Sequence, residues 1–550
     1  MKKENKGLLY VFIAFILVGF LGYSVGVMKE RREITGVVTS FNKFFKSQPI
    51  NTNLQNIIRL VQKNYVDSVD MDSISEKMIP LLLKELDPHS SYIPARLAKQ
   101  TQEDLQGNFD GIGVMFNMLT DTVIIQDVIS GGPSSKVGLI TGDRIIKIND
   151  SIVAGRKINS KNIVKKLKGK GGTQVKVGVK RFGVDSLIDI SITRGKVLIK
   201  SIDASFMIRP KVGYVKLLRF SRDTHAELVK AISSLKEKGM EHLILDLQNN
   251  GGGYLDQAIL IANEFLPADK MIVYTEGRGE RLSEQYSDGN GRFIDEDVTI
   301  LINEASASAS EIVSGALQDN DIGEIIGRRS FGKGLVQQQM DLRDGSILLL
   351  TIARYYTPTG RCIQRPYVGG DQEKYYKDYF ARFEHGEMLS RDSIKQNDSL
   401  RYVTPKGKIV YGGGGIMPDI FVPMDTTSYS QFERKALTSL FRIRYASQYT
   451  DKHRRELEDI SNKQDLDKYF DKNMSSIMRG YKKYFFKSEK DGGTAKEWKR
   501  IDEDLIKLFK ATIGDATQLK TNAFYIYMAD YDQIIMKAIN VTENKDIAKR

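Results

Sequence analysis

Apolar residues first recur at helical spacing shortly after residue 50, at Leu54, Ile57, Ile58, Val61 and Tyr65. The pair Ser73 and Glu76 has the spacing of a capping box and predicts a second helix that ends near Leu86. Residues 87–90 (DPHS) contain a proline and are expected to stop that helix. The chain therefore opens with a helical region before any strand is predicted.

Residues 107–195 follow a different pattern, in which short alternating segments are broken by Gly and Asp. The predicted strands are 113–117, 122–127, 143–149, 174–180 and 187–193. Short helices are predicted between them, near 133–137 and 161–168. Strands this short and this frequent predict a small β-rich module.

From residue 212 onward, strands alternate with helices. The predicted strands are 212–220, 243–247, 298–302 and 346–356, and the predicted helices are 224–236, 254–265 and 308–318. Buried strands that alternate with helices predict an α/β layer with a largely parallel core. Beyond about residue 425 helical spacing returns, as at Leu505, Leu508, Phe509 and Ile513, and we expect Trp498 and the pair Phe485 and Phe486 to lie in a core.

The segment 8–27 is uncharged and mostly apolar over 20 residues, the length that crosses a bilayer as a helix. Lys2, Lys3 and Lys6 precede it, which favours a cytoplasmic N-terminus and a chain that lies largely beyond the inner membrane. A cleaved signal peptide is the alternative, although residues 24–26 match a cleavage site poorly. We interpret the segment as an uncleaved anchor.

Composition narrows the class of protein. The 550 residues are 41% apolar and 27% charged, which excludes a polytopic membrane protein and a wholly disordered one, and the length predicts three or four domains. With Cys362 as the one cysteine and five scattered histidines, we expect no disulfide, metal or cofactor. The net charge is +13, but the basic residues are interleaved with acidic ones. This pattern favours proximity to an anionic membrane surface over binding to nucleic acid.

Three serines, Ser306, Ser308 and Ser310, lie where a buried strand meets an apolar-faced helix. A serine at such a turn has small neighbours and the unpaired N–H groups of a helix N-terminus beside it, as a nucleophile does. The alternative is that these serines are ordinary helix caps.

A serine nucleophile needs a base, and no His and Asp partners are evident. Lys333 stands between Gly332 and Gly334, and a buried lysine there would lose its charge and could accept a proton. Gln337 could orient the amine without adding charge. The alternative is a solvated lysine in a glycine turn.

The Gly-rich run 249–253 (NNGGG) follows an apolar strand and could present backbone N–H groups to a phosphate or an oxyanion, or could be only a tight turn. Residues 327–334 nearly fit a P-loop, but Gly334 supplies no hydroxyl for Mg²⁺. The residues that follow read as strands, whereas a P-loop opens a helix. A nucleotide hydrolase is therefore discounted.

Taken in order, these motifs resemble the C-terminal processing peptidases, also called tail-specific proteases, over about residues 55–424. The resemblance is carried by DPHSSY (87–92), GIGV (111–114), GDRI (142–145), DLQNNGGG (246–253), SASASEI (306–312), GKGLVQ (332–337), TIARYYTPTGR (351–361) and GIMPD (415–419). Each motif is weak by itself, and their conjunction in this order is highly specific.

The resemblance implies a serine endopeptidase that works through an acyl-enzyme. It makes Ser308 the nucleophile, Lys333 the general base and Gln337 the residue that orients the base. The backbone N–H of Ala309 and that of a glycine in the Gly252 and Gly253 pair would form the oxyanion hole. In the PDZ domain, the loop Gly111, Ile112, Gly113 and Val114 would capture a substrate's C-terminal carboxylate. A packing module without a ligand is the alternative for this domain.

This chain departs from the family at two positions of the Gly-rich loop. The family often has Arg and Pro where this chain has Gln248 and Gly251. Because backbone groups do the work there, we expect the loop to function, and which glycine faces the oxyanion stays open.

The resemblance also implies a fold and a location. We expect an α+β multidomain chain with an α/β peptidase core of the ClpP/crotonase type, an inserted PDZ domain and a helical C-terminal extension. The predicted domains are 1–28 (anchor or signal), 50–100 (helical), 101–197 (PDZ), 198–425 (peptidase core) and 426–550 (helical extension). The catalytic domain would lie on the periplasmic side of the bacterial inner membrane. An adaptor or a second copy of the chain is a candidate partner, and a non-catalytic scaffold is the main alternative function.

Overall fold

The computed structural model describes residues 52–118, 121–129, 131–279, 282–438, 440–488 and 492–548. Across those ranges, no helix combines the length and the apolar composition needed to cross a bilayer. The predicted span 8–27 lies outside the described residues.

The described chain begins with helices α1 (Thr52–Asn64) and α2 (Met71–Lys84), followed by β1 (Ser91–Ile93) and α3 (Ala95–Gln106). The predicted capping box at Ser73 and Glu76 is wrong, because Asp70 caps α2 and accepts the N–H of Asp72 and of Ser73, each at 3.1 Å. Nothing between Asp70 and Ser73 breaks a helix, so the earlier cap begins it.

The β-rich module has the strands β2 (Asn108–Gly111), β3 (Val114–Asn117), β4 (Val123–Val128), β5 (Arg144–Ile148), β6 (Ser151–Ile152), β7 (Gln174–Lys180), β8 (Ile188–Thr193) and β9 (Gly195–Leu198), with helices α4 (Pro133–Lys136) and α5 (Ser160–Leu167). Its main sheet is antiparallel in the order β3–β4–β5–β7–β8, and β2 pairs with β9. All the predicted strands and helices of this module are confirmed with ends within one residue.

The core of the chain is a six-stranded sheet. Its elements are β10 (Ile202–Arg209), β11 (Val212–Leu217), α6 (Thr224–Lys236), β12 (His242–Asp246), α7 (Leu255–Asn263), β15 (Asp297–Ile302), α8 (Ala309–Asp319), β16 (Glu324–Gly327) and β21 (Ile420–Phe421). The strand order is β10–β11–β12–β15–β16–β21, and every pairing after β10–β11 is parallel. The predicted parallel α/β layer is confirmed, and it places the ends of β12 and β15 side by side.

A second sheet, of five strands that include β1, packs buried side chains into the same apolar core as this layer. Its other strands are β13 (Met271–Glu276), β14 (Ser283–Tyr286), β17 (Leu335–Asp341) and β18 (Ile347–Tyr356). The order is β1–β18–β13–β14, and β17 pairs with β18. Outside this sheet are helix α9 (Gln372–Glu384) and a hairpin of β19 (Arg401–Val403) and β20 (Ile409–Tyr411).

The C-terminal extension is helical, as predicted. It comprises α10 (Gln431–Thr438), α11 (Leu440–Glu458), α12 (Lys463–Ser488), α13 (Ala495–Arg500), α14 (Asp502–Gly514), α15 (Thr521–Met528) and α16 (Gln533–Ala548). Trp498 and Phe485 are buried in its core, but the prediction is wrong for Phe486, which is 53% exposed. Neighbouring residues of a helix point about 100° apart, so both phenylalanines cannot face one core.

Candidate active site

Ser308 stands at the turn between β15 and α8. Its backbone has φ 56° and ψ −116°, a strained conformation for a residue with a side chain, of the kind that collects at functional sites. The other two candidate serines use their hydroxyls in backbone hydrogen bonds. The Ser306 hydroxyl donates to Leu247 O at 2.8 Å, and the Ser310 hydroxyl donates to Asn250 O at 2.9 Å. Ser308 itself lines a cavity.

Lys333 lines the same cavity, on the segment that leads from β16 into β17. Lys333 is only 2% exposed, so the alternative of a solvated lysine in a glycine turn is wrong. Burial lowers the pKa of Lys333 well below its usual value, while the charges of Glu311 and Asp87 act in the opposite direction. The structure therefore brings together a serine and a lysine whose ammonium form is disfavoured.

Glu311, on the first turn of α8, ties these two residues together. One carboxylate oxygen accepts the N–H of Ser308 at 2.8 Å and that of Lys333 at 2.9 Å, and the other accepts the N–H of Gly332 at 2.7 Å. Burial raises the pKa of Glu311 to about 7, although the hydrogen bonds lower it. Sequence reasoning gave Glu311 no role, and its position three residues after Ser308 was the available signal.

Gln337 lines the cavity beside Lys333 and is 5% exposed. Its amide donates to the Thr351 hydroxyl at 3.1 Å, and that hydroxyl donates to Asp87 Oδ1 at 3.1 Å. Asp87 also accepts the N–H of Ser90 at 2.8 Å. The amide of Gln337 is thus held by Thr351, whose hydroxyl is in turn bonded to Asp87. The sequence did not indicate these contacts.

Tyr355 is a second residue that sequence reasoning missed. This fully buried tyrosine of β18 lines the cavity, and its hydroxyl donates to the Lys333 carbonyl and, at 3.3 Å, to the Ser308 carbonyl. Because one hydroxyl contacts both backbones, the spacing of the serine and lysine segments is fixed from the second sheet.

The Gly-rich loop packs directly against Ser308. A Cβ built on Gly252, at φ 98°, would lie 2.7 Å from Ser308 Cβ and 2.9 Å from Ala309 N. Gly252 donates its own N–H to Asn250 Oδ1 at 2.9 Å, whereas Gly253 and Ala309 line the cavity. Only glycine fits this approach of two backbones.

The P-loop alternative is wrong on structural grounds. The residues after Gly334 form β17, and β17 pairs along its length with β18. A P-loop needs a helix N-terminus at this point to receive the phosphates.

Comparison with known proteins now decides the family. Residues 211–373 match the model described as Peptidase family S41, and residues 111–192 match a PDZ domain. A carboxy-terminal-processing protease of Bartonella bacilliformis is 35% identical over 347 residues, which cover 60% of this chain and 79% of that protein. The chain belongs to the carboxy-terminal-processing proteases of peptidase family S41.

Further relatives agree with this assignment. A probable CtpA-like serine protease of Staphylococcus aureus strain N315 is 32% identical over 358 residues, which cover 62% of this chain and 71% of that protein. Among solved structures, a photosystem II D1 C-terminal processing protease aligns with TM-score 0.34 and 24% identity over 67% of this chain and 92% of that one. The two matching family models and the two curated relatives make the chain a serine-type peptidase with a PDZ domain.

In this peptidase, the four residues predicted to bind substrate in the PDZ domain span the junction of β2 and β3: Gly111 ends β2, Ile112 and Gly113 form the turn, and Val114 begins β3. Gly113 has φ 73°, and Ile112 is buried with its carbonyl accepting the N–H of Ser134 at 2.9 Å. Gly111 pairs with Gly195, and Val114 with Val128. The loop is thus held on both sides by strands.

Proposed function

We propose that this peptidase is a membrane-anchored endopeptidase that binds protein C-termini through its PDZ domain and cleaves with Ser308 as nucleophile and Lys333 as general base. The observation that carries the proposal is a single cavity lined by Ser308 and by a buried lysine whose pKa is lowered by burial.

The first chemical step is proton transfer from the Ser308 hydroxyl to the neutral Lys333 amine. The serine oxygen then attacks the scissile carbonyl carbon, and the carbonyl oxygen becomes an oxyanion. The Lys333 ammonium returns the proton to the departing amine, which leaves the acyl group on Ser308. Water then loses a proton to Lys333 and attacks the ester carbonyl. The bond to the Ser308 oxygen breaks, Lys333 returns the proton to that oxygen, and the new C-terminus is released.

The oxyanion would be stabilised by the backbone N–H groups of Ala309 and of the Gly252 and Gly253 pair. Gly253 is favoured as the second donor for two reasons. It lines the cavity, and the N–H of Gly252 is already donated to Asn250. Each such donor is worth roughly a hundredfold or more in rate.

Gln337 would hold the base in place within the cavity. Because its amide is fixed by Thr351 and carries no charge, it can orient Lys333 without stabilising the ammonium form. We also propose that the peptidase core has a fold of the ClpP/crotonase type. Its parallel strands β11, β12, β15 and β16, with helices α6, α7 and α8 between them, support this.

The remaining parts of the proposal rest on sequence. Segment 8–27 would anchor the enzyme in the inner membrane, with the catalytic domain on the periplasmic side of a bacterial envelope. Proteins with free C-termini would be the substrates, and an adaptor or a second copy of the chain could engage the C-terminal extension.

The test is cleavage of a peptide with an apolar free C-terminus. Ser308→Ala, Lys333→Ala and Lys333→Arg should each abolish cleavage, because arginine keeps the volume but cannot become a neutral base. Ser233→Ala and Lys238→Ala, which change exposed residues of or just after α6, are matched controls and should cleave as the native enzyme does. Cleavage that survives Ser308→Ala would overturn the proposal.

A further inference from the structure

The Gly-rich loop starts at a buried acidic residue, Asp246, at the end of β12. Its carboxylate accepts the Tyr214 hydroxyl at 2.6 Å, the Lys216 ammonium at 3.0 Å and the N–H of Gln248 at 2.8 Å. Lys216 also donates to the Gln248 carbonyl at 2.7 Å. The backbone of the loop is therefore fixed from the side of the sheet.

The side chain of Gln248 is fixed from the other direction, by the C-terminal extension. Gln248 is 5% exposed, and its amide donates to Asp532 Oδ2 at 3.3 Å and more weakly to Asp246 Oδ2 at 3.5 Å. A buried amide that loses its partner is costly. Asp532 therefore supplies a contact that this position needs.

Asp532 is at the same time the residue that begins α16. Its other oxygen, Oδ1, accepts the N–H of Ile534 at 2.8 Å and of Ile535 at 3.1 Å, as a helix cap does. One carboxylate thus joins the start of α16 to the loop beside the active site.

Helix α16 is itself packed on the strands that carry the site. The apolar side chains of Ile534, Ile535, Ala538 and Ile539 are buried in a cluster with Ile244 of β12, Leu301 of β15 and Ile326 of β16. Strand β12 leads to the Gly-rich loop, and β15 leads to Ser308. Helix α16 therefore packs on the same strands that position the loop and the nucleophile.

From Gln248 the loop reaches the site within a few residues. Asn249 donates its N–H to Asn303 Oδ1 at 2.9 Å, and the Asn250 carbonyl accepts the N–H of Ala307 at 3.0 Å. Gly252 and Gly253 follow at once, against Ser308. A shift at Gln248 would therefore move the glycine N–H groups relative to the nucleophile.

We propose that the C-terminal extension is a working part of the active site, and that Asp532 is a positioning residue which holds the oxyanion-side loop through Gln248. At position 248 this chain carries an uncharged amide that takes a hydrogen-bond partner from the start of α16. The inference rests on the proposed function, because it assumes that this loop faces the oxyanion.

The test compares kcat and KM of Asp532→Ser with those of Asp530→Ser. Serine still caps a helix but is too short to cap α16 and reach Gln248 together. We expect kcat of D532S to fall about tenfold with little change in KM, because donors that act in the transition state are misplaced. Asp530 lies two residues away and pairs with the half-exposed Arg209, so D530S should leave kcat unchanged.

Two further variants separate positioning from folding. Gln248→Ala leaves the α16 cap intact and should lose the same factor in kcat, and the double variant should lose no more than either single one. Asp532→Asn can still cap the helix and pair with a rotated Gln248 amide, so most of the activity should return.

Three results would overturn the inference: native kcat in D532S, native kcat in Q248A, or losses that multiply in the double variant. Failure of the proposed function has a different signature, which is cleavage that survives Ser308→Ala. The two failures are therefore distinguishable within one set of assays.

Discussion

At the scale of single residues, the site depends on two buried groups that would both be charged in water. Lys333 and Glu311 are each almost fully inaccessible, and Glu311 touches the backbone of Lys333. Burial favours the neutral form of both, which is the form that a lysine base requires. Each group's ionisation therefore affects the proton affinity of the other.

This coupling predicts the pH dependence of cleavage. Because only the neutral amine accepts a proton, kcat/KM should rise with pH and reach its plateau well below the ordinary lysine pKa of 10.5. Since the Glu311 charge raises the pKa of Lys333, Glu311→Gln should move the rising limb to lower pH while reducing kcat. A pH–rate profile from pH 5 to 11 would measure both effects. A limb that falls with pH, or one that E311Q moves upward, would contradict this account.

At the scale of elements, the site is a meeting of two strand-to-helix loops and one β-hairpin. The loop after β12 and the turn after β15 are neighbours because their strands are parallel and adjacent. The segment before β17 and the strand β18 bring Lys333 and Tyr355 to them.

The close approach of the first two loops predicts the effect of one added methyl group. Gly252→Ala would place a Cβ 2.7 Å from Ser308 Cβ on a backbone at φ 98°, so the loop must retreat. We expect kcat to fall by about a hundredfold or more, as it does when oxyanion donors are lost. Gly279→Ala, whose Cβ would meet nothing within 4 Å, is the control. Equal kcat values for both variants would show that the loop is not held against Ser308.

Sequence patterns predicted these elements well and the finer contacts poorly. Spacing reveals the longer elements, so strands β3, β4, β5, β7 and β8 and helix α8 were predicted nearly to the residue, whereas the short strands β2, β6 and β9 were missed. Asp87, Thr351 and Tyr355 gave no such signal, because their contacts join segments far apart in the chain. Nor does spacing reveal which neighbour a buried amide such as that of Gln337 selects.

At the scale of the whole molecule, the C-terminal extension contacts both other parts of the enzyme. It meets the PDZ domain through an ion pair of Arg144 with Asp451 and a hydrogen bond from Lys520 to Asp127 of 2.9 Å. It meets the core sheet through α16 and through Tyr525, whose hydroxyl donates to Asp203 at 2.6 Å. The PDZ domain is therefore connected to the core by the polypeptide chain and also contacts the C-terminal extension directly.

Two-site substrate binding predicts that the end group of the substrate controls affinity. If the PDZ loop captures a carboxylate, a peptide with an amidated C-terminus should show a KM about tenfold higher with a similar kcat, because a charge-assisted contact outside the cleavage site is lost. Steady-state kinetics on matched free and amidated peptides would measure this. Equal KM values would favour a PDZ domain that packs without binding substrate.

The central claim is that Ser308 is the nucleophile and is activated by Lys333. It is tested most directly by reacting the enzyme with a serine-directed fluorophosphonate and locating the adduct by mass spectrometry. We predict one adduct, on Ser308, that disappears in Ser308→Ala and forms far more slowly in Lys333→Ala. An adduct on Ser306 or Ser310, or labelling that persists in Ser308→Ala, would contradict the account.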